Sequence, residues 1–465
     1  MPDSGAMSPL PASRRGVLAG AGALLLAGPA GAAPGFGADD VRKVLVHRVE
    51  VQKRGTGAVV GLRDPEARSA VAYGSTHIGG PAADGRSIFP IASLTKVFTA
   101  LLLADAAQRG RMGLDDPLSK HLPAGVVTPE FGGRTITLAD LATHSAGLPL
   151  RPPNLHSKDP DDPYAGYTTA DLYAGISAFK LTRAPGAEFE YSNFAYGLLG
   201  QAIQHRLGRS YGELIRDKVT GPLGMADTGL VPPTANDPRR VQGYDTDLKP
   251  TPPWDVEALA EAGSLFSTVT DILTFLGVWI GPGRSRLSAV ADAMLTLDRP
   301  GDSKSVRMAL GWRITRSGGR RVVWSNGSAG GCRAFMGFCI EDGTGLAAFN
   351  NAQTGIGVDD VGQRWLGAAG QHIDMSAPVT RTAIALPPAQ LEPLTGRYWY
   401  ADDDTILIRL DGANLVAQIG KQVLPVYPES PRKFFFQVAD AQIEFTPRGL
   451  ILIQDGQAWR YVRRP

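Results

Sequence analysis

The sequence predicts an α+β fold, an antiparallel sheet with a helical subdomain, followed by a small all-β domain at the C-terminus. Strand-like segments flank a helical middle in the first ~370 residues, the pattern of an α+β layer architecture. Beyond about Leu391 only strand signals remain. The stretch between, from about Met375, is rich in Pro, Ala and Thr and reads as a linker. At 465 residues the chain exceeds one ordinary domain of about 100–200 residues. The boundaries expected are 40–372 for the main domain, 373–390 for the linker and 391–465 for the β domain.

Taken in order, the chain opens with Ser13-Arg14-Arg15-Gly16-Val17-Leu18, a Gly/Ala/Leu run to Gly28, and Pro29-Ala30-Gly31-Ala32-Ala33. The apolar run is about 13 residues, short of the ~20 a membrane span needs. Paired arginines before it and small residues after it look like a twin-arginine signal over 1–33, implying export of an already folded protein. A disordered or membrane-tethered tail is the alternative. From Val41 a helix precedes two antiparallel strands, Ala58–Leu62 and Ala70–Gly74. Ser93 to Gly110 has helical spacing at Val97, Leu101, Leu102 and Ala106. Leu114–Leu122 reads as loop and short helix. Another helix starts near Leu138, with Thr137 or Thr135 as its cap. Arg151–Tyr167, rich in Pro and Asp, is expected to be a surface loop over the site. Tyr196–Arg206 and Thr268–Ile280 read as helices. Val322–Trp324, a small-residue turn over Asn326–Gly331, Ala334–Ile340 and Leu346–Phe349 give three consecutive strands. In the tail, Thr405–Leu410 pairs with Leu415–Ile419, and Phe434–Val438, Gln442–Phe445, Leu450–Ile453 and Trp459–Val462 follow at short spacing. A small antiparallel sheet or barrel accounts for them.

Composition excludes several functions. Hydrophobic residues are 43% and charged residues 20%, with a net charge of +2, so no general disorder and no nucleic-acid partner is indicated. Seven histidines without HExxH-type spacing give no metal signal, and no cofactor is implied. No later stretch has the length of a transmembrane anchor. Cys332 and Cys339 fall on one strand, roughly 23 Å apart at ~3.3 Å per residue and on opposite faces. That is beyond disulfide reach, so two half-buried thiols are expected.

Three segments carry the residues of a nucleophilic site. Ser93-Leu94-Thr95-Lys96 begins a helix, which sets the Ser93 hydroxyl at the positive end of the helix dipole and the Lys96 amine on the same face. A serine needs an adjacent base, and a partly buried lysine has the lowered pKa suited to that task. An N-cap with a solvated lysine is the other reading, countered by the apolar residues on both sides. Tyr191-Ser192-Asn193 follows Pro185-Gly186. The phenol can relay a proton and the carboxamide can hold a substrate amide, or else Tyr191 packs and Asn193 caps the next helix. In Ser325-Asn326-Gly327-Ser328-Ala329-Gly330-Gly331, small residues let a substrate backbone lie along an edge strand. A free N–H there could complete an oxyanion hole with that of Ser93. A plain glycine-rich hairpin is the alternative.

In this order and spacing the three segments resemble the SxxK, YxN and K/H-x-G elements of the serine β-lactamase and penicillin-binding superfamily. The class C branch is most similar, with its AmpH-type D-alanyl-D-alanine carboxypeptidase and esterase relatives. Leu114-Asp115-Asp116-Pro117-Leu118, Thr137 through His144 to Pro149, Pro222-Leu223-Gly224-Met225 and Ala262 through Thr268 support the match, which covers about 45–355. The resemblance implies a β-lactamase/transpeptidase-like fold in which Ser93 is acylated while Lys96 and Tyr191 share its proton. It gives Asn193, Ser325, Gly327 and Ser328 to substrate binding, with the N–H groups of Ser93 and Ser328 facing the oxyanion. His144 falls in a structural stretch and is expected to be packed and hydrogen-bonded. The third element departs from the family: Ser325 stands where a cation or imidazole is usual, and Arg333 is the nearest substitute in sequence. The expected function is a cell-envelope D-alanyl-D-alanine carboxypeptidase or β-lactamase-like hydrolase, acting on a small peptide, β-lactam or ester. A class C-type carboxylesterase and a non-catalytic peptidoglycan-fragment or penicillin-binding protein are the alternatives.

Overall fold

The computed structural model describes residues 36–465 except 157–158, 160–161, 255, 282–284, 355–356, 369–371, 376–380, 401–403, 413, 420–421, 437–440, 455–456 and 464–465. The expected signal segment, 1–33, lies outside the described residues. The chain divides into two compact units, Leu25–Ala377 and a second that contains Pro378–Pro465.

The α+β arrangement expected of the first unit is present. Its sheet comprises β1 (Gly57–Arg63), β2 (Arg68–Gly74), β3 (Arg299–Pro300), β4 (Val306–Met308), β5 (Arg313–Ser317), β6 (Arg320–Ala329), β7 (Cys332–Cys339) and β8 (Thr344–Asn350). The spatial order is β2-β1-β8-β7-β6-β5-β4-β3, antiparallel throughout. β1 is apolar from Gly57 to Leu62 because both its faces are covered. Val59 joins the core on the side of the long helices, while Ala58, Val60 and Leu62 join a second cluster with α1 (Ala38–Val46). The larger core surrounds α2 (Thr95–Gln108), buried from Thr95 to Ala106. It takes in α3 (Leu138–Ala142), α4 (Thr169–Ala178), α5 (Asn193–Leu207) and α6 (Val269–Ile280). Thr137 caps α3, and its hydroxyl and the Asp140 carboxylate form a reciprocal capping box.

Two expectations in this unit are corrected. The turn expected over Asn326–Gly331 is only Gly330–Gly331, and Ser325 to Ala329 continue β6. Both glycines have positive φ, +52° and +73°, as a two-residue hairpin turn of the primed type requires. The small residues before them stay extended for another reason: a Cβ on Gly327 would come within 2.6 Å of the Ser93 nitrogen. The cysteines sit at the two ends of β7, both fully buried rather than half-buried, because both faces of that strand are covered.

The second unit is a closed barrel of eight strands: β9 (Gly396–Trp399), β10 (Thr405–Asp411), β11 (Asn414–Ile419), β12 (Gln422–Pro428), β13 (Lys433–Phe436), β14 (Ala441–Thr446), β15 (Gly449–Gln454) and β16 (Gln457–Arg463). Two of these, β9 and β12, are absent from the sequence reading. Pro425 and Pro428 argue against a strand on sequence grounds, yet β12 pairs through both, with Val416 and Phe434 opposite them. Its core of Tyr398, Ile406, Phe434, Ile443, Leu450 and Tyr461 is its own.

Candidate active site

Ser93 sits where a short 3-10 turn, Ala92–Leu94, leads into α2. The residue before it, Ala92, has φ +47°, a left-handed conformation that costs a residue with a Cβ of order 1 kcal/mol and recurs at functional sites. Lys96, one turn further on, is 3% exposed. Its Nζ donates to Ser93 Oγ at 3.0 Å and to the Ala262 carbonyl at 2.7 Å. The Tyr191 hydroxyl donates to the same Ser93 Oγ at 2.7 Å, and Nζ lies 4.9 Å from the Tyr191 ring centre. The three side chains expected to act together do meet.

Burial holds the Lys96 ammonium below its ordinary pKa, partly offset by Tyr191. Burial alone would raise the Tyr191 phenol. The Lys96 charge and hydrogen bond, the bond to Ser93 and the guanidinium of Arg313 together bring it below its ordinary value. Each partner therefore favours a shared proton over two full ones.

His144 is packed and hydrogen-bonded, and it does more than fill space. Its Nδ1 accepts the Ser192 N–H at 3.1 Å, and its backbone carbonyl accepts the Glu190 N–H at 2.7 Å. The residues on either side of Tyr191 are thus fixed to one histidine, whose ring lies 4.4 Å from the Tyr191 ring. Burial, then the charges of Lys96 and Arg313, hold its pKa well below the ordinary value, so the imidazole is neutral.

Ser192, not Asn193, caps α5: its Oγ accepts the Ala195 N–H at 2.9 Å. Asn193 is thereby left to the cleft, where its Nδ2 donates to the Tyr164 hydroxyl at 2.8 Å and its Oδ1 is buried without a partner among the described residues. The cleft holds about 740 Å³ and is lined by Ser93, Tyr164, Asn193, Trp254 and Ser328 among others. Tyr164 comes from the segment expected to cover the site. It packs against Trp254 at 5.8 Å between ring centres, forming an aromatic wall that no sequence signal announced.

β6 also lines the cleft, through Ser328 and Ala329. The pairs Ala329↔Cys332 and Ser317↔Arg320 close two-residue turns, so alternation assigns the backbone groups of 325, 327 and 329 to β7. The N–H and C=O groups of Asn326 and Ser328 then face outward. β5 covers that outer edge only as far as Arg313↔Trp324, which leaves Ser325 to Ala329 open. The Ser328 N–H is thus presented to the cleft beside Ser93. Ser325 is buried on the Gly327 side of the pleat. Arg333, the nearest cation in sequence to the departing element, lies against Gly357 with its charge felt by Asp359. The guanidinium beside Tyr191 is instead that of Arg313, with its Cζ 5.7 Å from the ring centre. No group of His, Cys, Asp and Glu suited to a metal ion occurs among the described residues.

Known proteins resemble this chain in sequence and in fold. The chain is 29% identical over 350 residues to the D-alanyl-D-alanine-carboxypeptidase/endopeptidase AmpH of Escherichia coli, covering 70% of this chain and 88% of that one. A β-lactamase/D-alanine carboxypeptidase from Yersinia pestis, solved with citrate, is 25% identical with a TM-score of 0.57 over 67% of this chain and 93% of that one. The octameric penicillin-binding protein homologue from Pyrococcus abyssi has the same fold, with a TM-score of 0.62 at 21% identity over 91% of this chain and all of that one. The family model described as Beta-lactamase matches residues 41–371. The chain belongs to the Beta-lactamase family and is a serine hydrolase of that type.

Proposed function

We propose that this protein is a cell-envelope D-alanyl-D-alanine carboxypeptidase that works through an acyl-enzyme on Ser93. The observation that carries the reading is the convergence of Lys96 Nζ and the Tyr191 hydroxyl on the Oγ of Ser93, a residue that lines the cleft. In acylation, Ser93 Oγ bonds to the substrate carbonyl carbon while its proton passes to the Lys96–Tyr191 pair. The N–H groups of Ser93 and Ser328 hold the resulting oxyanion. The C–N bond then breaks, and Tyr191 returns the proton to the departing amine. Water enters by the same proton route in reverse and releases the acyl group. Asn193 holds the amide of the acyl side, with the Tyr164–Trp254 wall behind it.

Similarity to the Escherichia coli carboxypeptidase and the Yersinia pestis enzyme supports the peptide as substrate. The twin arginines at Arg14-Arg15 support export through residues 1–33, and among the described residues no helix is long and apolar enough to cross a membrane. The barrel that follows the linker is an accessory domain in this reading. A carboxylesterase reading draws on Ser325, because an ester needs no carboxylate anchor.

Intact-mass analysis after incubation with a fluorescent penicillin and with a p-nitrophenyl ester tests the proposal. The wild type should gain one acyl group or turn the probe over, and Ser93→Ala should do neither. An adduct that persists in Ser93→Ala would refute the assignment of the nucleophile. Turnover of the ester alone would select the esterase. Absence of any reaction would favour a binding protein.

A further inference from the structure

β1 ends on a residue that breaks its apolar run. Val59, Gly61 and Arg63 share the face packed against α6, where a Cβ on Gly61 would lie 3.0 Å from Leu273. Arg63 is thereby carried against the last turn of that helix and is 3% exposed. Its Nε and Nη1 are buried with no hydrogen-bond partner among the described residues, and the guanidinium is in no ion pair among them. Asp64, whose charge it feels, is turned to its own hairpin, with Oδ1 accepting the N–H groups of Glu66 and Ala67 at 2.8 and 2.7 Å.

A second arginine faces the first. Arg68 of β2 stands directly opposite Arg63 in the register, a juxtaposition of like charges that destabilises a sheet. Its Nη1 donates to Thr274 Oγ1 at 3.0 Å. A Cβ on Gly277 would lie 3.3 Å from Arg63 Nη1 and 3.4 Å from Arg68 Nη2, and one on Gly281 would lie 3.1 Å from Arg63 Nη2. Both guanidiniums thus border one space that the two glycines leave open. The cavity holds about 270 Å³, with Ser285 also on its wall. Ser285 Oγ accepts the Leu287 N–H at 3.1 Å, which leaves its hydrogen without an acceptor among the described residues. None of these residues lines the Ser93 cleft.

The balance of charge decides what fits. Burial and the charge of Arg68 pull the Arg63 pKa down, partly offset by Asp64, yet an arginine stays protonated in a protein. The carbonyl end of α6 supplies only about half an elementary negative charge against two full positive ones. We propose that the cavity between the β1–β2 hairpin and the C-terminal end of α6 binds a dianionic phosphate group, held by Arg63 and Arg68 with the Ser285 hydroxyl as a further donor. Phosphate oxygens match the planar fork of a guanidinium, and a dianion neutralises both. The group belongs either to inorganic phosphate or to a phosphomonoester, and a monoanionic diester is the poorer ligand.

Thermal unfolding of the full chain tests this at about pH 8 and constant ionic strength, with chloride replaced by inorganic phosphate, glycerol phosphate or dimethyl phosphate. Inorganic phosphate at about ten times its Kd should raise the Tm of the larger unit by a few degrees. Dimethyl phosphate should bind about tenfold more weakly. Arg63→Met should unfold at a higher temperature than the wild type in chloride, because a buried unpaired cation is gone, and should lose about tenfold or more in phosphate affinity. Arg68→Gln, at an exposed position that the fold does not need, should lose affinity as well. Inorganic phosphate binding more tightly than glycerol phosphate identifies the free ion as the ligand, and the reverse order identifies an ester; both support the site. The inference is overturned by a wild-type Tm that phosphate leaves unchanged, or by a rise that persists in full in Arg68→Gln. An Arg63→Met protein less stable than the wild type in chloride would show that the fold itself pairs this arginine, and that also overturns it.

Discussion

Ser93 Oγ receives two donors, and the pH dependence of the enzyme follows from which of them has lost a proton. Lys96 lies below its ordinary value of 10.5 and Tyr191 below 10.0. The two titrate as a coupled pair, so kinetics will report macroscopic values belonging to both. Acylation needs the form with one proton removed, so kcat/KM should rise with pH along a limb whose midpoint lies below 10. A midpoint at or above 10 in a pH–rate profile would show that the site leaves the pair untuned. Much of this was legible in the sequence. Ser93 and Lys96 are three residues apart on one helix, and Tyr191-Ser192-Asn193 is a contiguous segment. Arg313 was not legible, because its place beside Tyr191 arises from strand register and from a hairpin that its own polar surroundings concealed. Arg333 is nearer in sequence to the departing element, but the pleat and the neighbouring loop hold it elsewhere.

β6 sets the reacting geometry through a single missing side chain. Gly327 lets the strand pass Ser93 so closely that an added Cβ would sit 2.6 Å from the Ser93 nitrogen and 3.0 Å from the Ala92 Cβ. Gly327→Ala must push the strand or the 3-10 turn aside, separating the N–H of Ser93 from that of Ser328. Losing one oxyanion donor typically costs about a hundredfold to a thousandfold in kcat. A drop of that size in acylation, with a folded circular-dichroism spectrum, is expected, whereas retention of more than a tenth of wild-type activity would contradict it. Hairpins show how local signals mislead. Gly318-Gly319 and Gly330-Gly331 are both two-residue turns with positive φ, at +56° and +80° for the first pair. The sequence reading missed the first, because Arg313–Ser317 is too polar to resemble a strand, and widened the second over residues that remain in the sheet. The capping box of Thr168 and Asp171, which starts α4, was a visible signal left unread.

For the whole molecule, the division into two units has a thermodynamic consequence. The barrel core has no residue in common with the two clusters that stabilise the sheet and helices. Cooperativity follows shared cores, so calorimetry should resolve two endotherms rather than one. A covalent or tight ligand at Ser93 should raise only the transition of the larger unit. A single transition shifted as a whole would mean that the units unfold together. The sequence indicated both cores through the change from mixed to strand-only patterning. It left open whether the tail forms an open sheet or a barrel, since closure depends on β9 and β16 pairing across more than sixty intervening residues.

The buried thiols of β7 place one more condition on the life of this protein. Cys332 is pushed up to about 12 by burial, and Cys339 is also raised by it. Neither is a thiolate at neutral pH, and a thiolate is the form that exchanges disulfides or reacts with oxidants. The fold therefore makes no demand on the redox chemistry of its surroundings. It can be completed in reducing and in oxidising surroundings alike, with no oxidase, isomerase or reductase attending.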